Sequence, residues 1–191
     1  MSARSSSSSA APLGTDSELA QRFQQRRDEA LKFARDGGWY EDCLVEVPVA
    51  WGQQDANAHV NNAVYFRFLE TGRLNLVRAL SDALPENQAK DMRGSGKGKG
   101  VILARISFDY KVPRPTTYPD TVLVLHKALR ISSRRLQLQH AVYSYNQQAV
   151  VGTGEAVVVA YDYDQLKSTE WPEAVVELVT RRGAQAVDGK L

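Results

Sequence analysis

The sequence predicts an α+β domain in which one long buried helix is wrapped by a curved antiparallel sheet of about five strands. The helical segment, residues 63–84, is apolar around most of its circumference, which is typical of a helix buried on several sides. One segment of alternating polarity precedes it and four long ones follow, as expected of antiparallel strands. A single helix cannot cover a flat sheet of this size, whereas a strongly curved sheet can enclose it.

The N-terminal part of the chain is expected to lie outside this domain. Residues 1–15 are rich in serine, hold no acidic residue and lack an apolar core segment. They predict a disordered tail or a mitochondrial transit peptide rather than a secretory signal. Residues 16–38 carry a weak apolar stripe among charged side chains, which predicts a surface helix that ends at a pair of glycines. We place the domain itself at residues 42–166, and a C-terminal helix and tail at residues 167–191.

Within the domain, the polarity pattern assigns each element in turn. Strands are predicted at residues 42–51, 101–112, 121–131, 134–145 and 148–163. Residues 86–100, between the helix and the second strand, predict a loop because they end in alternating glycines and lysines. Gly152 and Gly154 lie on one face of the last strand, so another backbone is expected to approach there or the sheet to bend.

Composition excludes several classes of function. The 24 lysines and arginines nearly balance 22 aspartates and glutamates, a net charge of +2 that does not suit a nucleic-acid-binding protein. No apolar run is long enough to span a membrane. One cysteine, and no histidine pair at metal-ligand spacing, exclude a disulfide framework and predict no metal. We expect a soluble cytoplasmic or mitochondrial protein without a cofactor.

The segment before the buried helix holds the densest group of unusual polar residues: Asp55, Asn57, His59, Asn61 and Asn62. The first turn of a helix offers unpaired N–H groups and the positive end of the helix dipole, which together could hold a developing oxyanion. A carboxylate nearby could act as a general base or a nucleophile. Spacing alone leaves open whether this is such a site or an ordinary N-cap that follows a turn.

This segment resembles the signature of hot-dog-fold acyl-CoA thioesterases of the 4-hydroxybenzoyl-CoA thioesterase type. The family pattern W-G-D-x-D-x-x-G-H-V-N-N aligns with Trp51 to Asn62, a helix tyrosine with Tyr65, and an E-x-x-R pair with Glu70 to Arg73. The resemblance extends over residues 46–164. It implies the hot-dog fold and hydrolysis of an acyl-CoA or acyl-carrier-protein thioester. It also implies a homodimer or homotetramer with its sites between protomers.

The resemblance also implies catalytic roles. Asp55 takes the position of the family's catalytic carboxylate, and the backbone N–H of Asn62 takes that of the donor that polarises the thioester carbonyl. Two positions depart from the pattern, since Gln53 stands in place of an aspartate and Ala58 in place of a glycine. The second change would shift the loop if that position requires a positive φ.

Other side chains offer competing assignments. His59 either positions the turn or acts as the base of a hot-dog hydratase or dehydratase. Glu70 is either the carboxylate of another thioesterase branch or an ion-pair partner of Arg73. A third interpretation is a non-catalytic acyl-binding or structural module. His126 and His140 are interpreted as sheet residues.

Other side chains are candidates for contact with the substrate. Lys97 and Lys99 lie in a glycine-rich loop, where they either contact the phosphates of coenzyme A or only solubilise the chain. The loop is not a Walker A motif, because neither lysine is followed by serine or threonine. Arg134 and Arg135 are a second candidate pair for the phosphates, and Tyr65 is a candidate lining residue of the acyl pocket.

Overall fold

A long helix packed against one face of a curved antiparallel sheet dominates the computed structural model, which describes residues 15–111 and 115–188. The helices are α1 (Asp16–Asp36), α2 (Asn62–Ser81), α3 (Glu86–Met92) and α4 (Glu173–Arg181). The strands are β1 (Val45–Pro48), β2 (Lys99–Ile106), β3 (Asp109–Tyr110), β4 (Thr121–Ile131), β5 (Arg135–Ser144), β6 (Ala149–Asp162), β7 (Lys167–Ser168) and β8 (Gln185–Ala186).

The sheet follows the order β1-β4-β5-β6-β2, and all neighbours on this path are antiparallel. Three two-residue strands extend it: β3 and β7 pair with β6, and β8 pairs with β4 in parallel. The predicted fold class and the curved five-strand core are therefore confirmed. Much of the predicted tails, residues 1–14 and 189–191, lies outside the described residues, as does the end of the strand predicted at 101–112.

Helix α2 forms where the sequence predicted it, although it ends at Ser81 rather than at residue 84. The Asn61 side chain caps it by accepting a hydrogen bond from the N–H of Ala63 at 2.9 Å. Its buried residues pack on one sheet face, and Gly72 allows a close approach there. A Cβ at Gly72 would lie 2.6 Å from Cε1 of His126 on β4. No helix among the described residues is both long and apolar enough to cross a membrane.

The prediction of a loop over residues 86–100 is wrong for its first half, because Glu86–Met92 forms helix α3. Pro85 stands at the N-cap, and the buried side chains of Ala89 and Met92 lie three positions apart on one face. Met92 joins the core cluster of α2 and the sheet. The helix was missed because only these two apolar side chains mark its buried face.

The predicted strand 101–112 is interrupted at residues 107–108, between β2 and β3. The N–H of Ser107 still donates to the carbonyl of Glu155 at 2.9 Å. A Cβ at Gly154 would overlap the carbonyl oxygen of Ser107 and lie 2.7 Å from Nε2 of His140. The close backbone approach predicted from Gly152 and Gly154 is therefore confirmed.

Helix α1 lies against the sheet face opposite α2. Its buried Ala30 and Ala34 pack with Leu123, and the ring of Phe33 lies 5.0 Å from that of Tyr143. Successive side chains of β4 point to opposite faces of the sheet. Leu123 therefore packs against α1, whereas Val122 and Val124 pack against α2. At the far end of α2, α4 adds Val175 and Val179 to the core.

Candidate active site

A tight loop between β1 and α2 carries the candidate catalytic residues. After a 3₁₀ turn at Trp51–Gln53, the chain reverses, and the N–H of Asp55 donates to the carbonyl of His59 at 2.7 Å. The N–H of Asn61 closes the loop by donating to the carbonyl of Gln53 at 2.9 Å. These bonds bring Asp55 back to the segment that begins α2.

The same loop is fixed to the rim of the sheet through the segment before β4. The Gln54 side chain accepts a hydrogen bond from the N–H of Tyr118 at 2.8 Å. The N–H of Val60 donates to the carbonyl of Thr116 at 2.9 Å. The loop therefore has a defined position relative to α2 and β4.

The Asp55 carboxylate belongs to a half-buried residue and is held by backbone donors of its own loop. Its Oδ1 accepts the N–H of Asn57 at 2.8 Å and the N–H of His59 at 3.2 Å. These hydrogen bonds, first that from Asn57 and then that from His59, lower the pKa of Asp55. The carboxylate is therefore ionised at neutral pH, as either a nucleophile or a general base must be.

The two departures from the family pattern have local explanations. Ala58 has φ +57°, so its position does require the left-handed conformation, and alanine adopts it at a cost of about 1–2 kcal/mol. The side chain of Gln53 accepts the N–H of Ala50 at 2.9 Å and so stabilises the 3₁₀ turn. With Gln53 and Ala58 at these positions, Asp55 still accepts the N–H groups of Asn57 and His59.

The N-terminus of α2 carries the N–H that the family resemblance makes the candidate oxyanion donor. Asn61 caps the N–H of Ala63, whereas the N–H of Asn62, the first of the helix, has no acceptor within the helix. Asn62 is exposed, and its carbonyl accepts the hydroxyl of Tyr110 at 2.9 Å. Tyr110, on β3, therefore anchors the first turn of α2.

An aromatic cluster lies beneath this helix end. The buried ring of Tyr65 lies 5.4 Å from that of Phe108 and 5.2 Å from that of Tyr110. The ring of Phe66 lies 6.5 Å from that of Phe108. Tyr65 is thus a core residue next to the candidate site. Tyr110 also belongs to the site, although the sequence analysis placed it only within the strand predicted at 101–112.

The lysines of the glycine-rich loop lie elsewhere in the single chain. Lys99 pairs with Asp162 on β6, whereas Tyr110, beside the candidate site, pairs with Gly152. Ten residues of β6 separate these partners, about 33 Å in an extended strand. Lys97 belongs to the same loop as Lys99, so one chain does not bring either lysine to Asp55. The second candidate pair, residues 134–135, also lies toward this far end, next to β7.

The competing side chains also have defined positions. His59 is exposed and donates its backbone N–H to Asp55. Glu70 is exposed on α2, about 12 Å beyond Asn62. His126 and His140 are fully buried in the sheet beneath α2, as predicted for sheet residues. Within the described part of the chain, no three His, Cys, Asp or Glu side chains are grouped as a metal site.

Comparison with known families identifies the superfamily of the chain. The model of the thioesterase-like superfamily matches residues 49–179, which include the whole loop and α2. The chain belongs to the thioesterase-like superfamily. This thioesterase-like chain is therefore an enzyme of the thioester hydrolase class.

Solved structures show the same fold. The PA2801 protein from Pseudomonas aeruginosa has 25% identity and a TM-score of 0.59, with 71% of this chain and 96% of that one covered. The DHNA-CoA thioesterase from Staphylococcus aureus has 17% identity and a TM-score of 0.58, covering 77% and 97%. A Thermus thermophilus thioesterase complexed with coenzyme A and Zn has 24% identity and a TM-score of 0.56, covering 73% and 92%. Comparison with curated protein sequences gives no significant match.

Proposed function

We propose that this thioesterase-like enzyme hydrolyses an acyl-CoA thioester, with Asp55 as the catalytic carboxylate and the N–H of Asn62 as the oxyanion donor. The observation that carries the proposal is the loop between β1 and α2. It holds an ionised, half-buried carboxylate in the loop that leads directly to an exposed first N–H of α2. The coenzyme A complex of the Thermus thermophilus thioesterase supports the choice of substrate class.

The proposed chemistry needs only these two groups. The substrate carbonyl oxygen accepts the N–H of Asn62, and the positive end of the α2 dipole stabilises the negative charge that develops there. Asp55 either attacks the carbonyl carbon directly or removes a proton from an attacking water. The C–S bond then breaks and the sulfur leaves as a thiolate, which needs no strong acid because a thiol has a pKa of about 8.5. In the direct route, water then hydrolyses the acyl-aspartate anhydride.

Substitution of Asp55 tests the assignment. Asp55→Asn keeps the size of the side chain but removes its basicity and nucleophilicity, so kcat should fall by about 10²–10⁴-fold while KM changes no more than a few-fold. His59→Ala and Glu70→Gln are the controls, and each should keep most of the activity. If either control abolishes turnover while Asp55→Asn does not, the assignment is wrong. Enoyl-CoA hydration that depends on His59 would instead identify a hydratase.

A single turnover in H₂¹⁸O tests for the direct route. When water opens the anhydride at the carboxyl carbon of Asp55, the label enters Asp55 and the product acid takes an unlabelled oxygen from the enzyme. Water activation instead places the label in the product acid and never in the enzyme. Label in the peptide that contains Asp55, measured by mass spectrometry, therefore demonstrates direct attack.

We further propose that the enzyme acts as a homodimer formed along β2. This strand ends the sheet path, and Leu103 on β2 and Leu74 on α2 are 41% and 62% exposed. Between α2 and β2 lies a groove of about 650 Å³, lined by apolar and arginine side chains. An unpaired edge and an exposed apolar face of this kind favour pairing with a second copy.

A dimer of this form gives a role to the glycine-rich loop. Antiparallel pairing of two β2 strands about a two-fold axis near Leu103 reverses their ends. Lys97 and Lys99 of the partner subunit would then lie beside β3, next to Asn62. We propose that they contact the substrate from there. Light scattering should give twice the 21.2 kDa mass of one chain, and Leu103→Arg should yield monomer with loss of activity. A fully active monomer would refute the dimer model.

A further inference from the structure

Two arginines of α1 line a cavity that the proposed reaction does not use. Arg22 and Arg26 are one helical turn apart and therefore share a face of α1. They border a cavity of about 290 Å³ together with Phe23, and its opposite wall is formed by residues 119–121 and 145–146. The cavity is thus a cleft between the N-terminal half of α1 and the rim of the sheet.

The positive charge in this cleft is available to a ligand. Within the described chain, Arg22 has no ion pair or hydrogen bond, and Arg26 donates only to the amide oxygen of the Asn146 side chain. The nearest acid of the cavity wall, Asp120, is already engaged. Its carboxylate accepts the hydroxyl of Ser144 at 2.5 Å and the N–H of Thr121 at 2.7 Å. The hydrogen bonds of Asp120 therefore come from neutral donors. Arg26 acts on it only through its charge, which partly offsets the rise in the pKa of Asp120 that burial causes.

The cleft adjoins the candidate active site through one short segment. The carbonyl of Asp120 accepts the N–H of Val49 at 2.9 Å, and the N–H of Tyr118 donates to the side chain of Gln54. Gln54 directly precedes Asp55 in the chain. Residues 119–121 consequently form part of one wall of the cleft, and the adjoining Tyr118 supports the catalytic loop.

Exposed aromatic side chains accompany these arginines. Trp51, at the start of the catalytic loop, is 73% exposed, Tyr118 is 49% exposed and Phe23 is 45% exposed. Aromatic faces stack on nucleobases, and arginine forks bind phosphate oxygens in a bidentate manner. Phe23 lines the cleft beside the two arginines, and Tyr118 directly precedes the opposite wall, so the cleft combines the two kinds of side chain that recognise a nucleotide.

We propose that Arg22 and Arg26 bind the phosphates of the nucleotide half of coenzyme A while the thioester lies at Asp55. The inference rests on the proposed acyl-CoA thioesterase function and deepens it. Helix α1 lies outside residues 49–179, the region matched by the superfamily model, so the proposed contacts come from a part of the chain that the model does not cover.

The test compares two double variants of the full chain that remove the same charge from α1. Arg22→Gln with Arg26→Gln removes the proposed phosphate contacts. Lys32→Gln with Arg35→Gln, nearer the C-terminal end of α1, is the matched control, since these side chains pair with Asp36 and Glu41 instead. Calorimetry measures the Kd of coenzyme A itself. Kinetics measure KM and kcat for an acyl-CoA and for the same acyl group on pantetheine, which lacks the nucleotide.

We expect the Arg22/Arg26 variant to weaken coenzyme A binding and to raise KM for acyl-CoA by at least about tenfold, as loss of charge-assisted contacts implies. Its kcat, and both constants for the pantetheine thioester, should stay within twofold of wild type. The Lys32/Arg35 control should leave KM and kcat unchanged for both substrates. The inference is overturned if coenzyme A binding changes equally in both variants, or if it changes only when Lys97 and Lys99 are replaced.

Failure of the inference and failure of the proposed function give different results. An enzyme that hydrolyses both thioesters without any dependence on Arg22 and Arg26 keeps the function and loses the inference. A chain that binds coenzyme A through these arginines but hydrolyses neither thioester keeps the inference and loses the function. If Arg22 and Arg26 affect only a carrier-protein thioester, they dock an acidic protein and the nucleotide assignment is wrong.

Discussion

Acid is expected to destabilise this fold through the two histidines buried beneath α2. Among the described residues, neither ring nitrogen of His126 has a hydrogen-bond partner, whereas Nε2 of His140 lies 2.9 Å from the carbonyl oxygen of Ser107. Burial lowers the pKa of His126 to about 3, and burial also lowers the pKa of His140. The positive charge of Arg73 on α2 further lowers the pKa of both histidines. The negative charge of Glu155 on β6 raises the pKa of His140 and so partly opposes this shift.

The pH range and the size of the effect follow from these shifts. Above about pH 6.5, the ordinary pKa of histidine, both rings are neutral in the folded and the unfolded chain. Below it, the unfolded chain takes up protons that the folded chain does not. The free energy of unfolding therefore falls by about 1.4 kcal/mol per pH unit for each such histidine, until the pH reaches its pKa in the folded state. Between pH 6.5 and pH 5, His126 alone should cost about 2 kcal/mol.

Urea unfolding at pH 7.5 and at pH 5.0 measures this loss in the free energy of unfolding. Both pH values lie above the ordinary pKa of aspartate and glutamate. His126→Leu removes one titrating group and should reduce the difference between the two pH values by about 2 kcal/mol. His59→Gln removes an exposed imidazole as the matched control and should leave the difference close to wild type. The reasoning is refuted if wild type is equally stable at both pH values, or if His126→Leu retains the full difference.

Three further predictions concern single residues. Ala58→Gly should raise the free energy of unfolding by about 0.5–1 kcal/mol with kcat unchanged, because glycine adopts φ +57° without strain; a destabilised variant in urea would contradict this. Gly154→Ala should lower the free energy of unfolding by about 3 kcal/mol or more, because its Cβ overlaps the carbonyl of Ser107; a loss below about 1 kcal/mol in urea would show that the strands separate easily. Cys43 is buried and its pKa is raised to about 12, so a thiol reagent at pH 8 should react with it only in urea; fast reaction of the native protein would contradict its burial.

The sequence alone determined the elements that depend on local periodicity. Alternation of polar and apolar residues located the long strands, and the wide apolar stripe of α2 predicted a helix enclosed by a sheet. Gly154 predicted a close backbone approach because only glycine leaves that space free. The loop from Trp51 to Asn62 was recognisable because its hydrogen bonds run between near neighbours in the chain.

The tertiary structure decided what depends on distant pairing. Alternation continues through Ser107, so nothing local showed that the strand breaks there to pass over Gly154. Tyr110 reaches the carbonyl of Asn62 across 48 residues of sequence, and this contact exists only because β3 lies beside the start of α2. Lys97 and Asp55 are both polar loop residues in the sequence, yet the β6 register places them at opposite ends of the molecule. Local patterns fix the conformation of each segment, whereas strand register and helix packing fix which segments meet.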